Sequence, residues 1–166
     1  MKALSIGKFY SFFIAALIFL FDQLSKYAIK SSITIYEKIK ISTYLNIVHI
    51  KNKGIAFGIF NNNADILFYM VLSVAIIVSI FLLHYIFTNK DSINNLSASL
   101  VLGGACGNIF DKIIDGSVTD FIDIHINHWH WPAFNLADSS ICLGAFIYIL
   151  YNKTAAKSSR YVYKDN

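Results

Sequence analysis

Ile66 to Phe87 reads ILFYMVLSVAIIVSIFLLHYIF, 22 residues with no charged side chain and one histidine, His84. At about 1.5 Å per residue, a helix of that length matches the roughly 30 Å hydrocarbon core of a bilayer. The whole chain has the same character. Of its 166 residues 56% are hydrophobic and 14% charged, where ordinary soluble domains carry about 25% charge. A soluble domain of this size has too little interior to hide so much apolar surface. One folding unit is expected, since a domain takes roughly 100–200 residues. The 14 Lys+Arg exceed the 10 Asp+Glu by +4, yet a single arginine and scattered lysines make no basic stripe. No nucleic-acid partner is therefore expected. Cys106 and Cys142 lie inside apolar runs and form no CxxC pair, which gives no support to a disulfide framework or a zinc site. The composition is that of a membrane protein.

Toward the N-terminus, FYSFFIAALIFLF (Phe9–Phe21) is followed by Asp22, Gln23 and Lys26. No small-residue cleavage site follows, so the run reads as a span reaching Ala28 rather than a signal peptide. Toward the C-terminus, Leu96–Phe110 is rich in small residues: Ser97, Ala98, Ser99, Gly103, Gly104, Ala105 and Gly107. Such residues let helix backbones approach closely, which predicts the packed centre of a bundle. Leu136–Tyr151 is the fourth apolar run. Spans are thus expected at about 9–28, 66–87, 96–112 and 136–151. Between the first two, Ile33, Ile35, Ile39 and Ile41 share one parity while Thr34, Lys38 and Lys40 take the other. That is the period of a half-buried strand. Tyr44–Ile50 is again β-branched and aromatic, and Asn52-Lys53-Gly54 reads as a turn. The expected fold is an all-α membrane protein, a four-transmembrane-helix bundle with a small extramembrane β-sheet over about 31–62 and a polar tail at 152–166.

Lysine placement alone leaves orientation balanced. With both ends inside, one side holds Lys2, Lys8, Lys90, Lys153, Lys157, Arg160 and Lys164. The other holds Lys26, Lys30, Lys38, Lys40, Lys51, Lys53 and Lys112. The tail past the fourth span is basic, and Asp111–Pro132 is acidic with Lys112 as its one cation. Charges near span ends weigh most, so both termini are expected in the cytoplasm.

An ionisable residue at membrane depth is costly and marks a functional candidate. Asp22 and Lys26 stand at i,i+4 and can pair; the plain structural reading is a helix end whose lysine snorkels to water. Asn108, Asp111 and Lys112 share a helix face at i, i+3 and i+4, which suits a network tying helices together. Asp115, a turn on, is expected to be solvated. Asp120 lies in GSVTDFID and Asp138 in FNLADSS. Asn135 can cap the fourth helix with Asp138 at its N3 position, and Asp120 with Asp123 can be a solvated acidic face. Spacing alone does not choose between these readings and a catalytic pair. His125, His128 and His130 match no zinc signature, and Trp129 and Trp131 suit a headgroup-level aromatic belt. There is no GxSxG, P-loop or GxGxxG. A small polytopic proton- or ion-coupled transport subunit is the alternative class, although its charges belong mid-span rather than at span ends.

Four blocks in order carry a family pattern: FDQLSK (Phe21–Lys26), NKGIAFG (Asn52–Gly58), GGACGNIFDKIIDGSVTDFID (Gly103–Asp123) and FNLADSSICLG (Phe134–Gly144). Together they resemble the lipoprotein signal peptidases, bacterial signal peptidase II. The resemblance implies an intramembrane aspartic endopeptidase of four helices with a small β-cradle, working as a monomer among membrane lipids. Its substrates would be lipid-modified prolipoproteins, cleaved just before a diacylglyceryl-modified cysteine. Its site would face outward from the bacterial cytoplasmic membrane and use no cofactor or metal. Residue by residue, the resemblance makes Asp120 and Asp138 the catalytic dyad. It makes Asn52, Gly54, Asn108, Asp111, Lys112, Asn135, Ala137, Asp22 and Lys26 substrate-binding or supporting residues. Two positions depart from the pattern. Lys112 replaces the usual arginine and lacks its planar fork, and Ile55 replaces a small residue.

Overall fold

The computed structural model describes residues 6–54 and 64–162. Their elements run α1 (Ile6–Ser32), β1 (Lys38–Lys40), β2 (Leu45–Asn52), α2 (Ala64–Thr88), α3 (Ser92–Asp115), β3 (Val118–Ile126), β4 (Trp129–His130) and α4 (Leu136–Val162). By length and composition α1 and α2 can cross a membrane, and only 6% of the most apolar part of α2 is buried inside the protein. The core helix of a soluble protein would be covered instead.

Helix α3 packs against α1, α2 and α4, and its small residues make that possible. A Cβ on Gly103 would lie 2.6 Å from the Ala15 carbonyl oxygen of α1. One on Gly104 would lie 2.4 Å from the Ala137 carbonyl oxygen of α4. Asp91 caps the helix, its carboxylate accepting from Asn94 N–H at 2.8 Å. At the other end Gly116 adopts the left-handed conformation (φ 65) that stops the helix. The chain then turns at once into β3.

The four strands form one antiparallel sheet in the order β1-β2-β3-β4. Ile39 pairs with Ile47, Ile47 with Ile122, Leu45 with Ile124 and Ile50 with Asp120, past a bulge between Ile47 and Ile50. Directly opposed residues share a face and successive ones alternate. One face therefore carries Ile39, Leu45, Ile47, Ile122 and Ile124 alongside Asp120. The other carries Lys40, Asn46, Lys51, Thr119 and Asp123. The β3–β4 hairpin turns at Asn127-His128, where Asn127 takes φ 53, a conformation asparagine tolerates.

Two stretches differ from expectation. The alternation at Ile33 and Ile35 is not strand: α1 runs to Ser32, Ile33 N–H still bonds to Ile29 C=O at 3.0 Å, and the chain then turns through Tyr36 with φ 68. Only Lys38–Lys40 pairs. Asn152–Val162, read above as a polar tail, continues α4; Lys153, Ala155, Ala156 and Lys157 are good helix formers. Ile55 lies outside the described residues.

Candidate active site

Asp120 and Asp138 are brought together by one strand contact. Past the Gly116 turn, Thr119 N–H donates to Asp111 Oδ2 at 3.2 Å, which pins the start of β3 to the end of α3. Further along, Ile122 N–H donates to Phe134 C=O at 2.8 Å, and Phe134 N–H returns to Ile122 C=O at 3.1 Å. That pairing sets Asn135 beside β3 just as α4 begins. Asn135 then caps the helix: its Oδ1 accepts from Asp138 N–H at 2.9 Å, and Asp138 Oδ2 accepts from Asn135 N–H at 3.3 Å. This is a reciprocal capping box. The structural role expected for Asp138 and its place in the site are thus one geometry, because the cap fixes where the carboxylate points.

Two carboxamides link the two acids. Asn135 Nδ2 donates to Asp120 Oδ1 at 2.7 Å and to Asn108 Oδ1 at 3.3 Å, while Asn108 Nδ2 donates to Asp138 Oδ1 at 2.7 Å. Asn52 Nδ2 reaches Asp120 Oδ2 at 2.9 Å from β2, and its Oδ1 accepts from Gly54 N–H at 2.7 Å. All four carboxylate oxygens therefore meet a donor. Asp120 is only 2% exposed, whereas Asp138 is half-buried. Burial pushes the Asp120 carboxyl up to about 6, the Asn52 bond opposes that, and the charge of Asp138 pushes the same way.

Behind this pair Lys26 is fully buried. Its ammonium donates to Asp22 Oδ2 at 2.7 Å, Asp111 Oδ2 at 3.1 Å and Asn108 Oδ1 at 3.0 Å, three acceptors for its three N–H bonds. The expected pairing with Asp22 is present, but the lysine does not snorkel. Acceptors from α3 hold it inside. Asp22 Oδ1 also accepts from Ala137 N–H at 2.9 Å, binding α1 to the first turn of α4. A Cβ on Gly107 would stand 2.4 Å from Asp22 Oδ2, so this position of α3 must be glycine. Gln23, which no sequence argument singles out, bridges Asp111 Oδ1 at 3.1 Å and the Gly107 carbonyl at 3.2 Å. Its place beside Asp22 was the one available hint.

Lys112 stands elsewhere than its spacing suggested. Asp111 is engaged by Lys26, Gln23 and Thr119 N–H, and Lys112 makes no ion pair among the described residues. One residue on is about 100° further round a helix. Its Nζ lies against Gly54, 3.3 Å from where a Cβ there would be. Asp115 is exposed, as expected, and pairs there with Lys30 at 2.5 Å.

Asp120 and Asp123 do not form one solvated acidic face. They lie three apart on β3 and project from opposite sides of the sheet. Asp123 is buried, accepting from Asn46 Nδ2 at 2.8 Å and lying 2.7 Å from His130 Nδ1. Burial would raise its carboxyl, but these two partners hold it below the usual range. His125 stacks on His130 with ring centroids 4.9 Å apart. Trp129 and Trp131 stand exposed beside the hairpin tip.

Comparison with known proteins agrees in extent and in kind. A model of the signal peptidase (SPase) II family matches residues 14–153, a range that holds every residue of this site. The lipoprotein signal peptidase of Wigglesworthia glossinidia brevipalpis is 41% identical over 136 residues, 82% of this chain and 88% of that protein. That of Serratia marcescens is 39% identical over 128 residues, 77% of this chain and 75% of that protein. A bacterial membrane enzyme solved at 2.3 Å superposes with a TM-score of 0.78 at 30% identity, covering 93% of this chain and 92% of its own. A second, solved at 1.9 Å, gives 0.75 at 32% identity over 89% of this chain and 93% of its own. With the match running through both aspartates and the strand and helix that carry them, this chain belongs to the signal peptidase II family.

Proposed function

We propose that this chain removes the signal peptide from diacylglyceryl-modified prolipoproteins, cutting before the lipidated cysteine, with Asp120 and Asp138 activating the water. The relatives named above are lipoprotein signal peptidases. The observation that carries the dyad is the linkage Asp120–Asn135–Asn108–Asp138, which holds two acids from different elements one buried and one open to water. Like charges this close cannot both ionise easily, so the pair shares a proton. Asp120, the buried member, keeps it. Asp138 takes a proton from water, and the oxygen attacks the scissile carbonyl carbon while Asp120 hydrogen-bonds to the carbonyl oxygen. The tetrahedral intermediate collapses as a carboxyl gives its proton to the leaving amine. The C–N bond breaks, leaving a signal-peptide carboxylate and a cysteine with a free amino group. No covalent acyl-enzyme, metal or cofactor takes part. A transport subunit would need a charge free to relay protons, and Lys26 has all three donors engaged.

The substrate brings two acyl chains and an apolar signal helix, so the site must lie where both already are. We read all four helices as spans, with both termini cytoplasmic, the sheet on the outer face, and the chain a monomer among membrane lipids. The isoleucine face of the sheet supports this: Ile39, Ile124 and Ile126 are 41%, 43% and 59% exposed beside Asp120, a surface suited to acyl chains rather than water. In intact cells an impermeant thiol reagent is expected to label Tyr44→Cys and to miss Lys153→Cys. The opposite pattern would contradict the orientation.

The pH–rate profile tests the proton assignment. Asp120 loses its proton as pH rises through about 6, so the rate is expected to fall above that value. It should also fall on the acid side as the pair takes up a second proton, with apparent values that belong to the pair. Asn52→Ala removes a donor that favours the ionised form. The alkaline limb should therefore move up, by roughly one to two pH units for a charge-assisted bond of about 1.5–3 kcal/mol. An unmoved limb would show that Asp120 is not the proton holder. Asp123→Asn, on the opposite face of the sheet, is expected to keep most of the parent kcat; abolished activity in a folded variant would mean the wrong carboxylate had been assigned.

A further inference from the structure

Of the seven lysines on the outward side, Lys26 and Lys112 belong to the active-site region and leave five others, against the usual bias of cations to the cytoplasmic side. Two of the five, Lys30 and Lys51, line a cavity of about 550 Å³ between the C-terminal end of α1 and β2. Lys51 opposes Thr119 in the ladder, so it projects from the face of the sheet opposite Asp120. The wall between the two lysines is Ser31 to Ile35 with His49, and Asp115 stands at the edge. Asp115 already engages Lys30 at 2.5 Å, while Lys51 has no carboxylate within ion-pairing distance among the described residues.

His49 is the second observation. It is 4% exposed, and its Nδ1 lies 2.8 Å from the Ile33 carbonyl oxygen. A carbonyl only accepts, so Nδ1 carries the hydrogen. Nε2 is buried with no partner, a costly state for a polar atom. A ligand hydroxyl in the cavity would resolve it: with Nδ1 donating to Ile33 C=O, Nε2 can accept from the O–H of a hydrogen phosphate or of a glycerol headgroup. The cavity also lies at the C-terminal end of α1, a helix long and apolar enough to cross a membrane.

We propose that this cavity is a phosphate-binding site that takes the headgroup of an anionic phospholipid or a soluble phosphate ester. Lys51 and His49 make the principal contacts, and Lys30 is shared between Asp115 and the phosphate. The ionisable groups around the imidazole are Lys30 of α1, Asp115 of α3, Lys51 of its own strand and Glu37 ahead of β1. The site rests on the membrane orientation proposed above and not on the peptidase chemistry.

The full chain in nanodiscs of mixed phosphatidylcholine and phosphatidylglycerol provides the test, with native mass spectrometry reading the lipid kept on release. The parent is expected to retain phosphatidylglycerol several-fold above its share of the bilayer. Lys51→Gln and His49→Gln should each abolish that preference, and should His49→Gln not fold, Lys51→Gln decides. Lys40→Gln removes the same charge from the same face away from the cavity and should change nothing. Added inorganic phosphate separates the sources: displacement of the lipid assigns a soluble phosphate ester, and persistence of the lipid assigns the headgroup. Equal loss in Lys40→Gln, full retention in Lys51→Gln, or no preference in the parent would each overturn the proposal.

Discussion

Asp120→Asn and Asp138→Asn are each expected to lower signal-peptide release by about 10²–10⁴-fold, while the protein still inserts and folds. An amide cannot take a proton from water or trade one with its partner, so either change leaves half a mechanism. The structural cost is smaller and can be located. Asp120 accepts from Asn52 on one oxygen and Asn135 on the other. An asparagine can satisfy only one of those donors, and the other loses a bond of about 1 kcal/mol net. Asp138→Asn similarly keeps either the bond from Asn108 or the bond from Asn135 N–H. Both variants should therefore unfold slightly below the parent in detergent and still show near-complete loss of kcat. Thermal unfolding and turnover measured on the same preparation separate the two effects, and a variant with parental turnover would remove its residue from the chemistry.

Lys26→Met is expected to do the reverse and destroy the fold before the chemistry is reached. The methionine fills the space but leaves Asp22 and Asp111 buried without their cation. Removing one partner of a buried ion pair costs about 3–5 kcal/mol, a large share of the 5–15 kcal/mol that holds a typical domain. Asp22 also accepts the Ala137 N–H, so a shift there loosens the first turn of α4 and with it Asp138. The expected readings are a much lower unfolding temperature and a poor yield of folded protein. Adding Asp22→Asn should recover part of the loss, since it removes one of the stranded charges. Parental stability in Lys26→Met alone would mean that the network contributes nothing to the fold.

The parts of this architecture legible in sequence are those fixed by local pattern. An uncharged run of 22 residues (Ile66–Phe87) has few other uses, and α2 follows it within two residues at either end. The small residues of Leu96–Phe110 similarly predicted the central helix, because close backbone approach demands them. Local pattern failed where a distant contact decided the outcome. The parity of Ile33 and Ile35 mimics a strand, yet the chain there leaves the end of α1 and turns through Tyr36, and the ladder that would have made it strand begins only at Lys38. Lys26 was readable as a partner of Asp22 from the i,i+4 spacing. Its burial was not, since Asp111 and Asn108 arrive from another helix.

The same limit applies to the two aspartates. Spacing left Asp138 between a cap and a catalytic role, and the reciprocal bonds with Asn135 make these compatible. What joins it to Asp120 is the pairing of Phe134 with Ile122, which no local rule reveals. The reading of Asp120 and Asp123 as one acidic face failed because both lie on β3, where residues three apart face opposite ways. Lys112 misled for a related reason: a shared helix face at i and i+4 did not settle what its long side chain reaches.

The central claim is tested most directly by incubating the purified full chain with a prolipoprotein in diacylglyceryl-modified and unmodified forms and weighing the products by mass spectrometry. The account predicts a freed signal peptide ending in a carboxylate and a lipidated cysteine as the new N-terminus, from the modified form only, with neither product from Asp120→Asn or Asp138→Asn. An intact modified substrate after incubation with the folded parent, or undiminished cleavage by either variant, would contradict it.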